Sequence, residues 1–92
     1  MPLTLSTTLV PSGDVAFREI ALEGVLLDLQ SGTYYGLNGV GMRAWTLVQD
    51  GRDLRTVHAQ LIREYDVDAN VLEADLIAWA EQLLRDGLVR EA

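Results

Sequence analysis

Few side chains in this 92-residue sequence are equipped for covalent chemistry. There is one histidine, His58, and no cysteine, so a disulfide, a thiolate nucleophile and a Cys-based zinc site are all excluded. His58 has Leu54 four residues before it and Ile62 four residues after it. Neither neighbour is a metal ligand or a nucleophile, and packing on a helix surface or boundary is the expected role. Gly36, Gly39 and Gly41 have a glycine-rich look, but no Lys or Ser/Thr follows at the spacing of a phosphate loop. They are expected to let the chain turn sharply from strand to helix. Asp66 and Asp68 alternate like the start of a calcium loop, yet the downstream Gly and bidentate Glu are out of register. Capping is the better account of them. Carboxylates are plentiful, but none sits in an apolar setting that would set an acid against a base, and no Gly-x-Ser-x-Gly elbow appears. The expectation is a binding module and not an enzyme, with no catalytic residue, cofactor or metal.

Association is the chemistry that remains, and two stretches stand out for it. The first is Thr33-Tyr34-Tyr35-Gly36-Leu37, which reads as a strand with Thr33, Tyr35 and Leu37 on one face and Tyr34 and Gly36 on the other. If it ends a meander, one of its edges presents free N–H and C=O groups to a partner strand. Gly36 would then give close backbone approach, while Tyr35 and Leu37 face the helices. The second is the last helix. At about 100° per residue, Leu72, Leu76, Trp79 and Leu83 fall on one line, bordered by Asp75, Gln82 and Asp86. Ile77, Ala80, Leu84 and Leu88 fall on another. Two readings stand for this wide arc: one line is buried while the other lines a groove, or both are covered by the rest of the molecule. Trp79 is accordingly either a groove anchor or a core residue.

The elements that must position these residues follow from periodicity. Residues 1–13 read as a short extended segment closed by a turn at Pro11-Ser12-Gly13-Asp14. Val15–Ile20, Gly24–Leu29 and Thr33–Leu37 read as three antiparallel strands, a meander over about 15–37. A turn is expected at Leu22-Glu23-Gly24, and a tight connection of about three residues at Gln30-Ser31-Gly32. The period then changes to that of helices at about 39–50, 53–66 and 69–86, with Asn38, Asp53 and Asp68 as N-caps and Gly51 and Gly87 as stops. Leu88-Val89 is expected to fold the tail back onto the core. The fold class is α+β, a winged helix-turn-helix-like single domain over 1–92 with a three-stranded antiparallel sheet followed by three helices.

Charge narrows the partners. The net charge is −7, and all seven basic residues are arginines. From Asp66 to Glu91 seven carboxylates stand against two arginines, a surface that repels phosphate backbones and anionic lipid. A winged helix reading DNA needs Arg, Lys, Asn or Gln along its recognition helix. Here that helix offers Asn70, Gln82 and Arg85 among Glu73, Asp75, Glu81 and Asp86. Neither nucleic acid nor membrane is expected as a partner. No stretch approaches the ~20 apolar residues of a membrane span. Met1-Pro2-Leu3-Thr4-Leu5 has no basic residue before its apolar positions and does not read as a secretory signal; the expected compartment is the cytoplasm.

Leu26-Leu27-Asp28 followed by Ser31-Gly32-Thr33-Tyr34-Tyr35-Gly36-Leu37-Asn38 resembles the "LLD…TG.Y..LN" signature of the PqqD-like proteins. Asp75-Leu76…Trp79…Leu83…Gly87-Leu88-Val89 resembles the "D…F…L…GLV" ending of that family, and Tyr65-Asp66-Val67-Asp68 its "Y.V" turn. The resemblance spans about residues 15–90. It implies a peptide-recognition element of a pathway for ribosomally made, modified peptides, most similar to the stand-alone lasso-peptide version. On that resemblance the leader of a precursor peptide adds as a strand to the third strand, against the third helix. The complex is then presented to a separate cysteine-protease-like, B2-type leader peptidase, with an ATP-dependent cyclase as a further partner. The alternative member type delivers a precursor to a radical enzyme. Thr33, Tyr34, Tyr35, Gly36 and Leu37 are the implied peptide-binding strand. Leu72, Asp75, Leu76, Trp79 and Leu83 are the implied helix wall. The sequence departs from the family after Asn38, where Gly39 stands in place of the usual Pro or polar residue.

Overall fold

The computed structural model describes residues 3–92. Met1 and Pro2, where the segment read above for a secretory signal begins, lie outside them.

Alternation of apolar and polar residues builds the sheet. β2 (Val15–Ile20), β3 (Glu23–Asp28) and β4 (Thr33–Leu37) pair antiparallel in the order β2-β3-β4. Ala16, Leu27 and Tyr34 lie in one cross-strand row, and Phe17, Leu26 and Tyr35 in the next. The second row faces the helices: Leu26 is fully buried, and Phe17 and Tyr35 are half-buried against the core. The first row faces outward, and Tyr34 is 70% exposed.

The β2–β3 turn differs from the sequence reading. Ile20 pairs with Glu23, so the turn is the two-residue Ala21-Leu22, both with positive φ (51° and 70°). That is the twist-matched hairpin geometry, formed here without the usual Gly or Asn. Glu23 and Gly24 belong to β3 instead. Gly24 is required for room, because a Cβ there would collide with Met42 Cγ and crowd Phe17 at 3.0 Å. The β3–β4 connection also runs longer than expected, from Leu29 to Gly32, because Asp28 pairs with Thr33. Its Gly32 does use a positive φ of 73°, and its N–H donates to the Asp28 carbonyl at 2.7 Å.

Three helices follow: α1 (Gly39–Gln49), α2 (Leu54–Glu64) and α3 (Ala69–Arg85). Each starts where a side-chain oxygen satisfies free backbone donors. Asn38 accepts from Gly41 N–H at 2.8 Å, Asp53 from Thr56 at 2.8 Å, and Asp68 from Asn70 and Val71 at 2.9 and 3.0 Å. Gly51 and Gly87 stop α1 and α3 with φ of 83° and 72°, the left-handed conformation that closes a helix. Gly39 and Gly41 have no such conformation, so they are not there to turn the chain sharply. His58 Nε2 donates to the Ala69 carbonyl at 2.8 Å and joins α2 to the start of α3, a boundary role.

The chain ends meet in a second sheet. β1 (Leu9–Pro11) pairs antiparallel with β5 (Val89–Glu91), so the expected fold-back of Leu88-Val89 takes the form of a strand. The core lies between β3, the three helices and this strand pair. Trp45, Leu9, Leu26, Leu54, Leu61 and Leu88 are its largest fully buried side chains, each leucine contributing roughly 1.5–3 kcal/mol of burial.

Candidate functional site

β4 is an edge strand. It pairs with β3 on one side, and among the described residues no strand pairs with the other. The described part of the N-terminal segment, residues 3–8, does not fill that edge. It runs instead to the start of α2, where Leu54 N–H donates to the Thr7 carbonyl at 2.9 Å and Arg55 N–H to the Leu5 carbonyl at 2.7 Å. An unpaired strand edge offers a row of backbone donors and acceptors to an extended chain. Gly36 leaves that rim bare: nothing lies within 4 Å of where its Cβ would stand, and its φ is one any residue adopts. A side chain at this position therefore has room in the free protein, and the glycine is not demanded by the fold.

Beside the C-terminal end of β4 opens a cavity of about 360 Å³. It begins at Asn38, the residue after the strand. One wall is the first turns of α1, with Val40, Gly41 and Ala44. The opposite wall is α3, with Leu72, Asp75, Leu76 and Trp79. Leu61 of α2 and Val67 of the α2–α3 link complete it. The hollow exists because small residues face large ones. Gly41 and Ala44 keep the α1 wall low, and a Cβ on Gly41 would stand 3.3 Å from Asn38 Oδ1 and 3.5 Å from Leu37. The lining is apolar apart from Asn38 and Asp75. Leu61, Leu72 and Leu76 are buried, Trp79 is half-buried against the core, and Asp75 is exposed.

The structure thus brings Leu72, Asp75, Leu76 and Trp79 together on one cavity. Leu83 is not on it. At 4% exposure Leu83 is a core residue, one turn further along α3, where that helix packs on β5. The wide apolar arc of α3 resolves into a mixture of the two readings. Both lines are covered in part, and Leu72 and Leu76 are at once core and cavity wall. On β4, Leu37 is buried and Tyr35 half-buried, while Thr33, Tyr34 and Gly36 are exposed along the strand. Val40, Gly41, Ala44, Leu61 and Val67 are not among the site residues the sequence points to, and Asn38 stands there as a cap and as the end of the family signature. The available signal was the run of small residues at 39, 41 and 44 opposite the leucines of α3, which helical periodicity treats as ordinary packing.

A second hollow, about 400 Å³, lies at Ser12, Asp14, Asp28, Gln30 and Asp86. Its polar groups are largely engaged with one another or with backbone: Gln30 Nε2 donates to Asp14 Oδ2 at 2.6 Å, and Ser12 Oγ to the Gly87 carbonyl at 2.8 Å. Among the described residues no group of His, Asp or Glu is arranged to hold a metal ion, and no helix is long and apolar enough to cross a membrane.

α1, which supplies one wall, is tied to α2 by an ion pair. Arg43 Nε and Nη2 donate to both Glu64 carboxylate oxygens at 2.9–3.0 Å, and Gln60 Nε2 donates to Glu64 at 2.6 Å. These hydrogen bonds, Arg43 first, hold the Glu64 carboxyl below the usual glutamate range. The pair ties α1 to α2 and so fixes the side of the cavity that Val40 and Ala44 supply.

No curated protein matches this sequence significantly. Among solved structures, TbiB1 in complex with the TbiA(beta) leader peptide is 36% identical, with 88% of this chain and 94% of that chain covered and a TM-score of 0.82. A lasso peptide synthetase B1 complexed with the leader peptide is 25% identical, with 90% and 98% covered and a TM-score of 0.83. Residues 23–89, from the first residue of β3 to the first of β5, match the family described as Coenzyme PQQ synthesis protein D (PqqD). A match over that much of the chain, on an α+β fold shared with a 36% identical protein, means that this chain belongs to the PqqD family.

Proposed function

We propose that this protein binds the leader segment of a ribosomally made precursor peptide and presents it to a separate leader peptidase in lasso peptide biosynthesis. The leader adds as a strand to the free edge of β4, through Thr33, Tyr34, Tyr35, Gly36 and Leu37. It continues into the channel against α3, where Leu72, Asp75, Leu76 and Trp79 receive its side chains. Backbone pairing sets register, and the cavity supplies selectivity. The observation that carries this reading is the unpaired β4 rim running directly into an apolar cavity at Asn38. The two similar structures, both B1 proteins with leader peptides, favour the lasso pathway over delivery to a radical enzyme. A cysteine-protease-like peptidase is the partner that uses the complex, and an ATP-dependent cyclase acts downstream on the core peptide.

Hydrogen exchange tests the mode of binding. Adding leader peptide is expected to slow amide exchange within Thr33–Leu37, at the N–H groups that face away from β3. A leader that binds while leaving those amides unchanged rules out strand addition. Cleavage of the precursor by the peptidase is expected to accelerate when this protein is present. Equal rates with and without it would remove the presenting role.

A further inference from the structure

Gly36 lies on the outer face of the sheet, away from the cavity. It shares a cross-strand row with Arg18 and Val25, next to the inward row of Phe17, Leu26 and Tyr35. Alternation therefore turns its row outward, as it does Ala16, Leu27 and Tyr34. The Gly36 backbone also faces the free edge. Leu29 N–H donates to the Asp14 carbonyl at 2.8 Å, just past the β2–β3 ladder. Hydrogen-bonded pairs alternate along an antiparallel ladder, so Val25 and Leu27 bond to β2, while Gly24, Leu26 and Asp28 bond to β4. It follows that Tyr34 and Gly36 point their N–H and C=O groups away from β3. A strand added antiparallel to β4 pairs with these two residues, and the residue opposite Gly36 carries its side chain on the outer face.

At Gly36 that face is bare and apolar. Nothing lies within 4 Å of a Cβ placed there. Val25, its cross-strand partner, is half-buried, and Tyr34, two residues back along β4, is 70% exposed. Arg18 completes the row, but its head is turned to the far edge: Nη1 donates at 2.8 Å to the Phe17 carbonyl, which by the same alternation is on the unpaired side of β2. A glycine inside a strand that the fold does not demand marks close approach by another chain.

We propose that the gap over Gly36 is a subsite for an aromatic side chain of the bound peptide, on the opposite face of the sheet from the cavity. The inference rests on the leader-binding reading and adds the residue type that the leader carries opposite Gly36. The ring lies across the glycine, against Val25 and beside Tyr34. An aromatic side chain that covers a cross-strand glycine stabilises an antiparallel pair. A charged side chain finds no partner in this gap.

The probe is the TbiA(beta) leader peptide, synthesised with each residue in turn replaced by phenylalanine and by alanine. Affinities are measured by calorimetry for the wild-type protein, Gly36→Ala and Gly36→Val, which fill the gap in two steps. Both variants are expected to unfold at a thermal midpoint no lower than the wild type, because the added side chain has room and valine suits a strand. At one leader position phenylalanine is expected to bind the wild-type protein about fivefold tighter than alanine. That preference is expected to shrink in Gly36→Ala and to vanish in Gly36→Val. If no position shows a preference that depends on Gly36, the aromatic subsite is overturned and leader binding stands. An equal loss for every peptide in both variants gives the glycine to backbone approach alone and also overturns the proposal. A lowered midpoint in Gly36→Ala assigns the glycine to the fold, with the same consequence. Failure of every peptide to bind the wild-type protein counts against leader binding itself, and the subsite falls with it.

Discussion

Single residues at this site serve two structures at once. The Asn38 side chain caps α1 through Gly41 N–H and also marks where the β4 edge becomes the cavity. Gly24 and Gly41 are small for packing and not for conformation. One makes room for Met42, and at the other a Cβ would stand 3.3 Å from Asn38 Oδ1 and 3.5 Å from Leu37. Trp79 has the largest side chain on the cavity, half-buried against the core with the remainder facing the hollow. Large aromatic side chains at the centre of a desolvated contact dominate binding energy. Trp79→Ala is therefore expected to weaken leader binding by about 2 kcal/mol, read by calorimetry on a variant whose unfolding transition shows it intact. Unchanged affinity in a folded variant would make Trp79 a core residue only.

At the scale of elements, the cavity is a gap between α1 and α3, and its width depends on how α1 is held. The Arg43–Glu64 pair is bidentate, joins α1 to α2, and is partly open to solvent. Because Glu64 titrates lower in the folded protein than in the unfolded chain, its contribution to stability is present above the ordinary glutamate pKa. It is lost as pH falls through the depressed folded value. Asp53, held low first by its side-chain hydrogen bond with Thr56 at the α2 cap, acts in the same direction. The expected outcome is a thermal midpoint that drops as pH is lowered through and below the ordinary carboxylate range. Glu64→Gln should start from a lower midpoint at neutral pH and lose less over that window. A variant that follows the wild-type curve in parallel would show that the pair does not stabilise the fold.

For the whole molecule, charge and topology select the partner together. The net charge of −7 places an unfavourable field in front of any polyanion. A low-salt mobility-shift assay with duplex DNA is expected to show no complex. A clear shift would favour a winged-helix regulator over peptide recognition. The topology adds the second condition. β1 pairs with β5 and not with β4, so among the described residues both outer edges of the three-stranded sheet, on β2 and on β4, stay unpaired, and the β4 edge is the one that leads into the cavity.

Much of this was legible in the residues alone. The caps Asn38, Asp53 and Asp68, the stops Gly51 and Gly87 and the period-2 strands are local signals, set by hydrogen bonds and sterics within a few residues, and the sequence determined them. So did the absence of thiol chemistry and the sign of the field. Gly24 reads as a turn residue and so points to a turn at Leu22-Glu23-Gly24, whereas the chain turns at Ala21-Leu22 and Gly24 is small to admit Met42 from α1. Leu83 could not be separated from Leu76 by periodicity, because both lie on one line of α3 and the end of the cavity is set by what packs opposite. Val40, Ala44 and Val67 were silent for the same reason: a hollow is a relation between surfaces far apart in the chain. The tertiary structure alone decided that β1 pairs with β5 and leaves the β4 edge open, and which leucines met the gap, since both depend on long-range packing that no local pattern encodes.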